Sequence, residues 1–424
     1  MTLLERLAAV DIQNLAIRVQ QIPAPTFAET DRAVFAGSVF EEAALDTEVV
    51  THSDDVVNAY ARVPGRDPEA PVLVISAHTD TVFPATTELT VRRDRAHRRI
   101  HGPGIGDNSL GVAALLALAT AYGAAAREAR DGEAELVRPA CDIWLVANAG
   151  EEGLGDLRGI RTALDHVRSR TPRGVGAAIV LEGLALGGVY HRGIGVKRFR
   201  LEVRTPGGHS WADFGSPSAV HELLLRLARI VKLKIPSAPR SSINVGTIEG
   251  GTSINSIASH ARAEIDLRSE SAAGVEELVR RVADATGCSS EEDGGRGGLR
   301  GIGAALGRAF GAAREGGVQA RLVPIGDRPA AEIPADHPLV DAAVRALAAV
   351  GLRAELRTGS TDANALLAGG VPTVCVGIST GAHAHRVDEY VNVDPIERGL
   401  KQLGHLIPEA AAVAARHQDE GRTR

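Results

Sequence analysis

Several acidic and imidazole side chains stand where an apolar run gives way to glycine or a turn, the place where open α/β sheets present reactive groups beyond their strand ends. The stretch "SAHTDTVFP", Ser76 to Pro84, sets His78 and Asp80 two residues apart. His78 reads either as a strand-end imidazole satisfied by its surroundings or as a metal ligand, and Asp80 either starts a turn or holds the second ring nitrogen of a ligating imidazole. In "HGPGIGDNSLGVAALLALA" a Gly-rich loop brings Asp107 to the mouth of a helix, where it could cap the helix or bridge two metals. "ANAGEEGLG" places Glu151 and Glu152 after an apolar run, and like charges at a buried strand end repel unless something neutralises them. A dinuclear metal site would do so, with one glutamate as ligand and the other as base; a solvated loop is the alternative. Glu182 in "AIVLEG" and His385 in "GAHAHRVDEYVNV" also follow apolar runs. Zinc-type sites combine histidine nitrogen with carboxylate oxygen, and two metals about 3.5–4 Å apart can share one bridging carboxylate. His78, Asp107, Glu152, Glu182 and His385 form such a set.

The elements that must position these groups alternate between strand and helix in the first part of the chain. "APVLVISAHTD", "CDIWLVANAGEEG" and "GAAIVLEG" read as buried strands, and "SLGVAALLALATAYGAAAREA" as a helix between them. Near residue 193 the pattern changes: "KRFRLEVRT" alternates, with Phe199, Leu201 and Val203 on one face, as in a sheet covered on one side only. The order strand, helix, two strands, helix, strand that follows suggests a ferredoxin-like sandwich. A Gly-rich stretch near residues 287–317 interrupts it and suggests a flexible insertion followed by a short helix. The α/β pattern then resumes. The expected division is 1–192 and 329–424 for one α/β domain and 193–328 for the inserted α+β module.

Composition sets outer limits. With 424 residues, 44% of them hydrophobic, the chain can bury two large cores, and a net charge of −6 with dispersed basic residues gives no field for nucleic acid or anionic lipid. The densest basic run, Arg92 to Arg99 in "RRDRAHRRIHG", reads as a solvated hairpin. Cys141, Cys288 and Cys375 are far apart and imply no disulfide framework. The opening "MTLLERLAAVDIQNLAIRVQ" reads as an amphipathic helix rather than a signal peptide, and no apolar run approaches membrane-spanning length, so a cytoplasmic location is expected.

Taken together, "SAHTDTVFP", "GPGIGDNSLG", "GEEGLG" and "HRVDEYV" resemble the metal motifs of the dinuclear zinc amidohydrolase and peptidase family (clan MH), which includes aminoacylase, glutamate carboxypeptidase, succinyl-diaminopimelate desuccinylase, acetylornithine deacetylase and tripeptide aminopeptidase. The resemblance covers nearly the whole chain. It implies an α/β fold with a zinc-peptidase-like three-layer catalytic domain, interrupted by a ferredoxin-like α+β dimerisation or lid domain. It further implies two divalent ions, zinc before cobalt or manganese, with His78 and Glu182 on one, Glu152 and His385 on the other, and Asp107 bridging. Asp80 would orient His78, and Glu151 would be the general base. "RTPGGHSW" matches the motif whose histidine reaches the partner subunit's active site, so His209 would stabilise the oxyanion. Asn255, Arg268, Ser360, Thr361 and Asp362 match substrate-facing positions, although Arg268 also fits a solvated strand face. Ala258 stands where the family often has proline, and the Gly-rich insertion is long for the lid.

The resemblance implies hydrolysis of a peptide or N-acyl amino acid amide bond by attack of a metal-bridged water activated by Glu151, in a homodimer formed through the lid domain; the charge and the apolar runs set the expectation of a cytoplasmic protein that binds neither nucleic acid nor membrane. Glu182 resembles the carboxypeptidase and deacylase branches, whereas "STDAN" resembles the peptidases. Two rival expectations stand beside this: a tripeptide or dipeptide aminopeptidase, which needs an acceptor for a free amine, and a catalytically silent metal-dependent binding protein.

Overall fold

Every residue of Val72–His78 is buried, and the run forms a strand with parallel neighbours on both sides in the computed structural model, which describes residues 2–130, 138–288, 310–315 and 317–417. A strand covered on both faces cannot alternate, which is why these strands read as continuous apolar runs. The neighbours are Ile143–Asn148 on one side and Val175–Glu182 on the other, and Thr373–Gly377 continues the parallel set beyond Val175–Glu182. Antiparallel strands Val57–Val63 and Asp46–Thr51 extend one edge, while Gly188–Gly193 and Glu355–Gly359 extend the other. Helices Leu3–Ala8, Gly111–Arg130, Pro338–Ala349 and Ile396–Arg416 pack in one contiguous group; Arg158–Arg170 and Ala363–Ala368 form another. This is the mixed α/β sheet expected, and it carries the first of two compact units, Met1–Gly193 with Glu332–Arg424.

Helix Gly111–Arg130 grows directly out of the loop that holds Asp107. It belongs to a segment, Ile105–Arg130, long and apolar enough by length and composition to cross a membrane, contrary to the expectation that no run comes near this. Most of that segment is buried, as in the core helix of an α/β sheet. Its seat is close: a Cβ added at Gly123 would lie 2.0 Å from the Ala43 carbonyl oxygen. The N-terminal stretch is not one helix but two, Leu3–Ala8 and Ile12–Gln20, because Asp11 accepts from the Asn14 amide at 3.2 Å and caps the second. The basic run does form a hairpin, Arg92–Asp94 with Arg99–His101, and it pairs with Tyr390–Asn392 and then Gly381–Ala382. That small sheet anchors both ends of the loop carrying His385, with the Arg99 guanidinium 4.2 Å above the Tyr390 ring. All three cysteines are free and buried.

The second unit is Ile194–Ala331, against the expected 193–328. Its antiparallel sheet runs in the order Ser241–Gly250, His260–Ser269, Gly195–Arg204, Val318–Arg328, Phe310–Glu315. Helices Ala219–Ile230 and Ala272–Thr286 cover one face, where Phe199, Leu201 and Val203 meet Leu223, Leu227, Leu278 and Val282 in a single core. The alternation in sequence thus places its apolar side against the helices. Most of the Gly-rich insertion near 287–317 lies outside the described residues. Its described end, Phe310–Glu315, is an edge strand paired antiparallel with Val318–Arg328, and the rest of the stretch expected to hold a short helix lies outside the described residues.

Gly123→Ala is expected to destabilise the protein by about 1–3 kcal/mol, the usual cost of overpacking a close backbone approach. Chemical denaturation of the ion-free protein checks this; unchanged stability would contradict the close helix seat.

Candidate metal centre

The central strands all end at the same edge of the sheet. His78 closes Val72–His78, Glu182 closes Val175–Glu182, and Ile143–Asn148 leads through Ala149 and Gly150 to Glu151 and Glu152. Asp107 comes from the turn Ile105–Leu110 and His385 from the loop between Gly381–Ala382 and Tyr390–Asn392. Asp107 does not cap the helix. Its backbone lies outside helical values, at φ −109° and ψ 90°, and its carboxylate faces two imidazoles instead.

His78 Nε2 lies 3.3 Å from Asp107 Oδ1 and 3.7 Å from Glu182 Oε2. His385 Nε2 lies 3.1 Å from Asp107 Oδ2 and 3.2 Å from Glu152 Oε1. The five residues therefore fall into two groups of one imidazole and two carboxylates, His78–Asp107–Glu182 and Asp107–Glu152–His385, joined through the two oxygens of Asp107. Tetrahedral zinc with bonds of about 2.0–2.2 Å separates its ligand atoms by about 3.3 Å, so the spacing and the donor types fit a divalent ion in each group. Glu151 also comes within ligand distance of His78 and Glu152, beside both groups.

Asp80 holds this arrangement from behind. Its buried carboxylate accepts from the Glu151 amide at 2.9 Å, the Glu152 amide at 2.8 Å and the Thr26 hydroxyl at 2.9 Å. His78 Nδ1 faces the Asp80 carbonyl at 3.2 Å and carboxylate at 3.4 Å, which leaves Nε2 for the metal side. Three further supports escape the sequence reading. Glu29 Oε1 accepts from the Gly150 amide at 3.1 Å. The fully buried Arg32 donates to the Thr79 and Ile22 carbonyls at 2.9 and 2.8 Å. Asn108 ties the Asp107 turn to the Glu182 strand end, donating to the Leu181 carbonyl at 2.9 Å and accepting from the Gly183 amide at 2.8 Å. A short polar residue beside a Gly-rich loop was the only available signal.

The electrostatics follow from burial and crowding. Burial pushes the Glu152 and Glu182 carboxyls up to about 7 against the opposing pull of His385 and His78. Burial would raise Asp107 too, but hydrogen bonds with His385 and His78 override it and hold the carboxyl well below the usual range. His78 is lifted despite its burial by Asp107, Asp80 and Glu182, and hydrogen bonds to Asp107 and then Glu152 raise His385 to about 10. Without an ion the protons themselves serve as the counter-charge.

Of the remaining predicted residues, Ser360, Thr361 and Asp362 belong to the first unit, just before helix Ala363–Ala368, and His209, Asn255 and Arg268 to the second. Asp362 is fully buried, receives the Asn148 amide at 2.8 Å and has its other oxygen unpartnered. Burial and then the charge of Glu151 push its carboxyl well up. Thr361 supports that turn, accepting from the Ala363 amide at 3.2 Å, and Ser360 precedes it, half-buried. On the second unit, His209 and Asn255 share one exposed tip: His209 pairs with Ser256, and the Asn255 carbonyl accepts from the Ser210 amide at 3.1 Å. His209 Nδ1 accepts from the Trp211 and Ala212 amides at 3.2 and 3.3 Å, which leaves the ring proton on the outward Nε2. Trp211 and Phe214 stand exposed beside it. Arg268 is at the opposite end of the strand His260–Ser269, forked onto Asp266 at 2.6 and 3.3 Å.

Residues 74–409 match Peptidase family M20/M25/M40, and the chain belongs to that family. It is 26% identical over 265 residues to a "Probable carboxypeptidase" of Aspergillus oryzae, covering 58% of this chain and 57% of the relative. It is 28% identical over 247 residues to another from Aspergillus terreus, covering 55% and 53%. The chain thus spans little more than half the length of these curated relatives. Solved structures share the fold: a tripeptidase of Staphylococcus aureus, with TM-score 0.71, 17% identity and coverage of 96% and 99% of the two chains; a di-peptidase of Saccharomyces cerevisiae, with TM-score 0.70, 13% identity and coverage of 97% and 98%; and a metallo-carboxypeptidase of Sulfolobus solfataricus, with TM-score 0.67, 13% identity and coverage of 95% and 100%.

An ion can enter only as these protons leave. Because the pKa values of Glu152, Glu182 and His385 are raised, the groups hold protons in the acid range and surrender them as pH rises through about 7 and then about 10. Apparent affinity for Zn2+ or Co2+ is therefore expected to rise with pH, by about tenfold per unit for each proton displaced. Titration calorimetry in buffers of different ionisation enthalpy measures the protons released; a pH-independent affinity with no release would contradict the arrangement.

Proposed function

We propose that the chain is a metal-dependent hydrolase that cleaves a peptide or N-acyl amino acid amide bond, using two divalent ions, most readily Zn2+, with Co2+ or Mn2+ as substitutes. The observation that carries this is the pair of one-imidazole, two-carboxylate groups joined through Asp107, with Glu151 against both. Membership of a peptidase family supports it. Bound ions would supply a Lewis acid for the scissile carbonyl and acidify the attacking water.

The chain's own residues supply the rest. His78 and Glu182 hold one position, Glu152 and His385 the other, and Asp107 fixes the spacing between them. Glu151, its amide tied to Asp80, takes the proton from the attacking water and returns it to the leaving amine. Asp80 keeps His78 presenting Nε2. His209, with its proton on Nε2, donates to the oxyanion. The exposed edge strand Ser241–Gly250 with Ile248, and the exposed Leu224 and Leu225 of helix Ala219–Ile230, support pairing of two copies through the second unit. His209 would then serve the partner's site.

The relatives named as carboxypeptidases favour a substrate with a free C-terminal carboxylate, which includes N-acyl amino acids. Aminopeptidase action is the second reading, favoured by the fold shared with the tripeptidase. A hydrolysis screen of free, N-blocked and C-blocked peptides and N-acyl amino acids, with each metal and with chelator, separates these from each other and from a silent binding protein.

Glu151→Ala is expected to retain both ions and lose about 10²- to 10⁴-fold in turnover, whereas His78→Ala loses metal. Metal analysis beside steady-state kinetics reads both, and near-normal turnover by the Glu151 variant would sink the base assignment. His209→Ala should lower kcat about 10²- to 10³-fold with metal content unchanged. A fully active monomer by light scattering would rule out action across subunits.

A further inference from the structure

Glu389 lies four residues beyond His385 and is fully buried, yet no basic side chain pairs with it among the described residues. Its carboxylate instead accepts backbone N–H groups from the opposite loop: Gly104 at 2.9 Å, Gly106 at 2.7 Å and Asp107 at 2.8 Å. Its carbonyl accepts from Gly102 at 3.0 Å, and its amide donates to the Arg386 carbonyl at 3.1 Å, closing a turn directly after His385. Two loops far apart in sequence, one carrying Asp107 and the other His385, thus meet on one side chain. The seat is closed: a Cβ at Gly106 would lie 2.8 Å from Glu389 Oε1 and 2.8 Å from Leu184 Cδ2.

Neither residue stands on a strand as His78 and Glu182 do; the small sheet holds only the two ends of the His385 loop. His385 is half exposed on its own backbone at φ +68°, and Asp107 sits on a non-helical kink. Neutral acceptors would not serve equally, because three N–H groups converge on two oxygens and only a carboxylate offers acceptors on both.

We propose that Glu389 is a positioning residue for metal binding: it locks the Asp107 loop to the His385 loop, so that the bridging carboxylate and the last imidazole are set as one piece before an ion arrives. This rests on the two-ion reading above. Glu389 belongs to neither ligand group and acts through the backbone of Asp107. Glu389→Gln keeps the size but points an amide NH2 at backbone donors, and Glu389→Asp keeps the charge with a shorter reach.

The test uses the full chain, stripped with chelator and titrated with Co2+, following visible absorbance and the melting temperature with and without the ion. Glu389→Gln is expected to bind Co2+ about 10- to 100-fold more weakly, the range for losing a group that orients a ligand. Its metal-induced rise in melting temperature should shrink, while Glu389→Asp recovers part of both. A side chain that merely stabilised the fold would lower the stripped and loaded melting temperatures together and leave affinity unchanged, and that result overturns the proposal. Gly106→Ala, which crowds the carboxylate without altering it, should reproduce the loss; wild-type affinity in both variants also overturns the clamp. Wild-type protein that binds no Co2+ overturns the two-ion reading, and the clamp with it, so the two failures are distinguishable.

Discussion

The structure is organised around an unfavourable contact: Asp107, Glu151, Glu152 and Glu182 converge where the central strands of the sheet end, with His78 and His385 among them. Two like charges about 4 Å apart repel by about 4 kcal/mol at an effective dielectric near 20, so such a cluster cannot remain fully ionised without cations. Protons meet the demand in the ion-free protein, on imidazoles lifted above their ordinary range and on glutamates held near 7. A group of carboxylates that must be neutralised by something is also one that binds divalent ions, and the same repulsion that destabilises the ion-free site supplies part of the affinity.

The chain resists the tendency of those side chains to swing apart by fixing the backbone on which they stand. Asp80 receives the amides of Glu151 and Glu152, Glu29 that of Gly150, and Asn108 that of Gly183. Each bond to a charged acceptor contributes about 1.5–3 kcal/mol and, more to the point, would leave a buried amide unsatisfied if broken. The carboxylates behind the site add negative charge to a place already crowded with it. Arg32 offsets part of this from within the core, where desolvation lowers its guanidinium to about 10 while the Asp80 charge works the other way.

Legibility in the sequence followed the range of the interaction. Strand ends were readable because the apolar run and the glycine after it are both local, and this located His78, Glu151, Glu152 and Glu182. The alternating module from residue 195 was readable for the same reason, and its helices cover the face that the alternation predicts. His385 could be ranked above the other histidines only through the resemblance, since nothing local separates it from His383. Glu29, Arg32 and Glu389 carry no local mark, because their partners are backbone groups up to 285 residues away. Composition reads the other way for Asp107: an aspartate before a helix looks like a cap, and only the two imidazoles brought to it by distant strands and loops explain why it is not.

Arg268 shows how an observed pair can leave a substrate role open on physical grounds. Its guanidinium is forked onto Asp266, but its side chain is 45% exposed, and exposed ion pairs contribute only about 0–1 kcal/mol. Asp266 is bound from the other side by Arg198 at 3.0 Å, so it would not be left bare if Arg268 turned away. A substrate carboxylate at Arg268 would therefore exchange one bidentate partner for another at little cost, and the pair keeps the guanidinium extended along the open face of the strand until then. Asp362 is the opposite case. Its carboxylate is enclosed, with one oxygen on Asn148 and the other without a partner, and drawing it out would break the turn that carries Thr361 and Asn364. Arg268, whose partner is shared with Arg198, can thus change partners, whereas Asp362 is fixed within its turn.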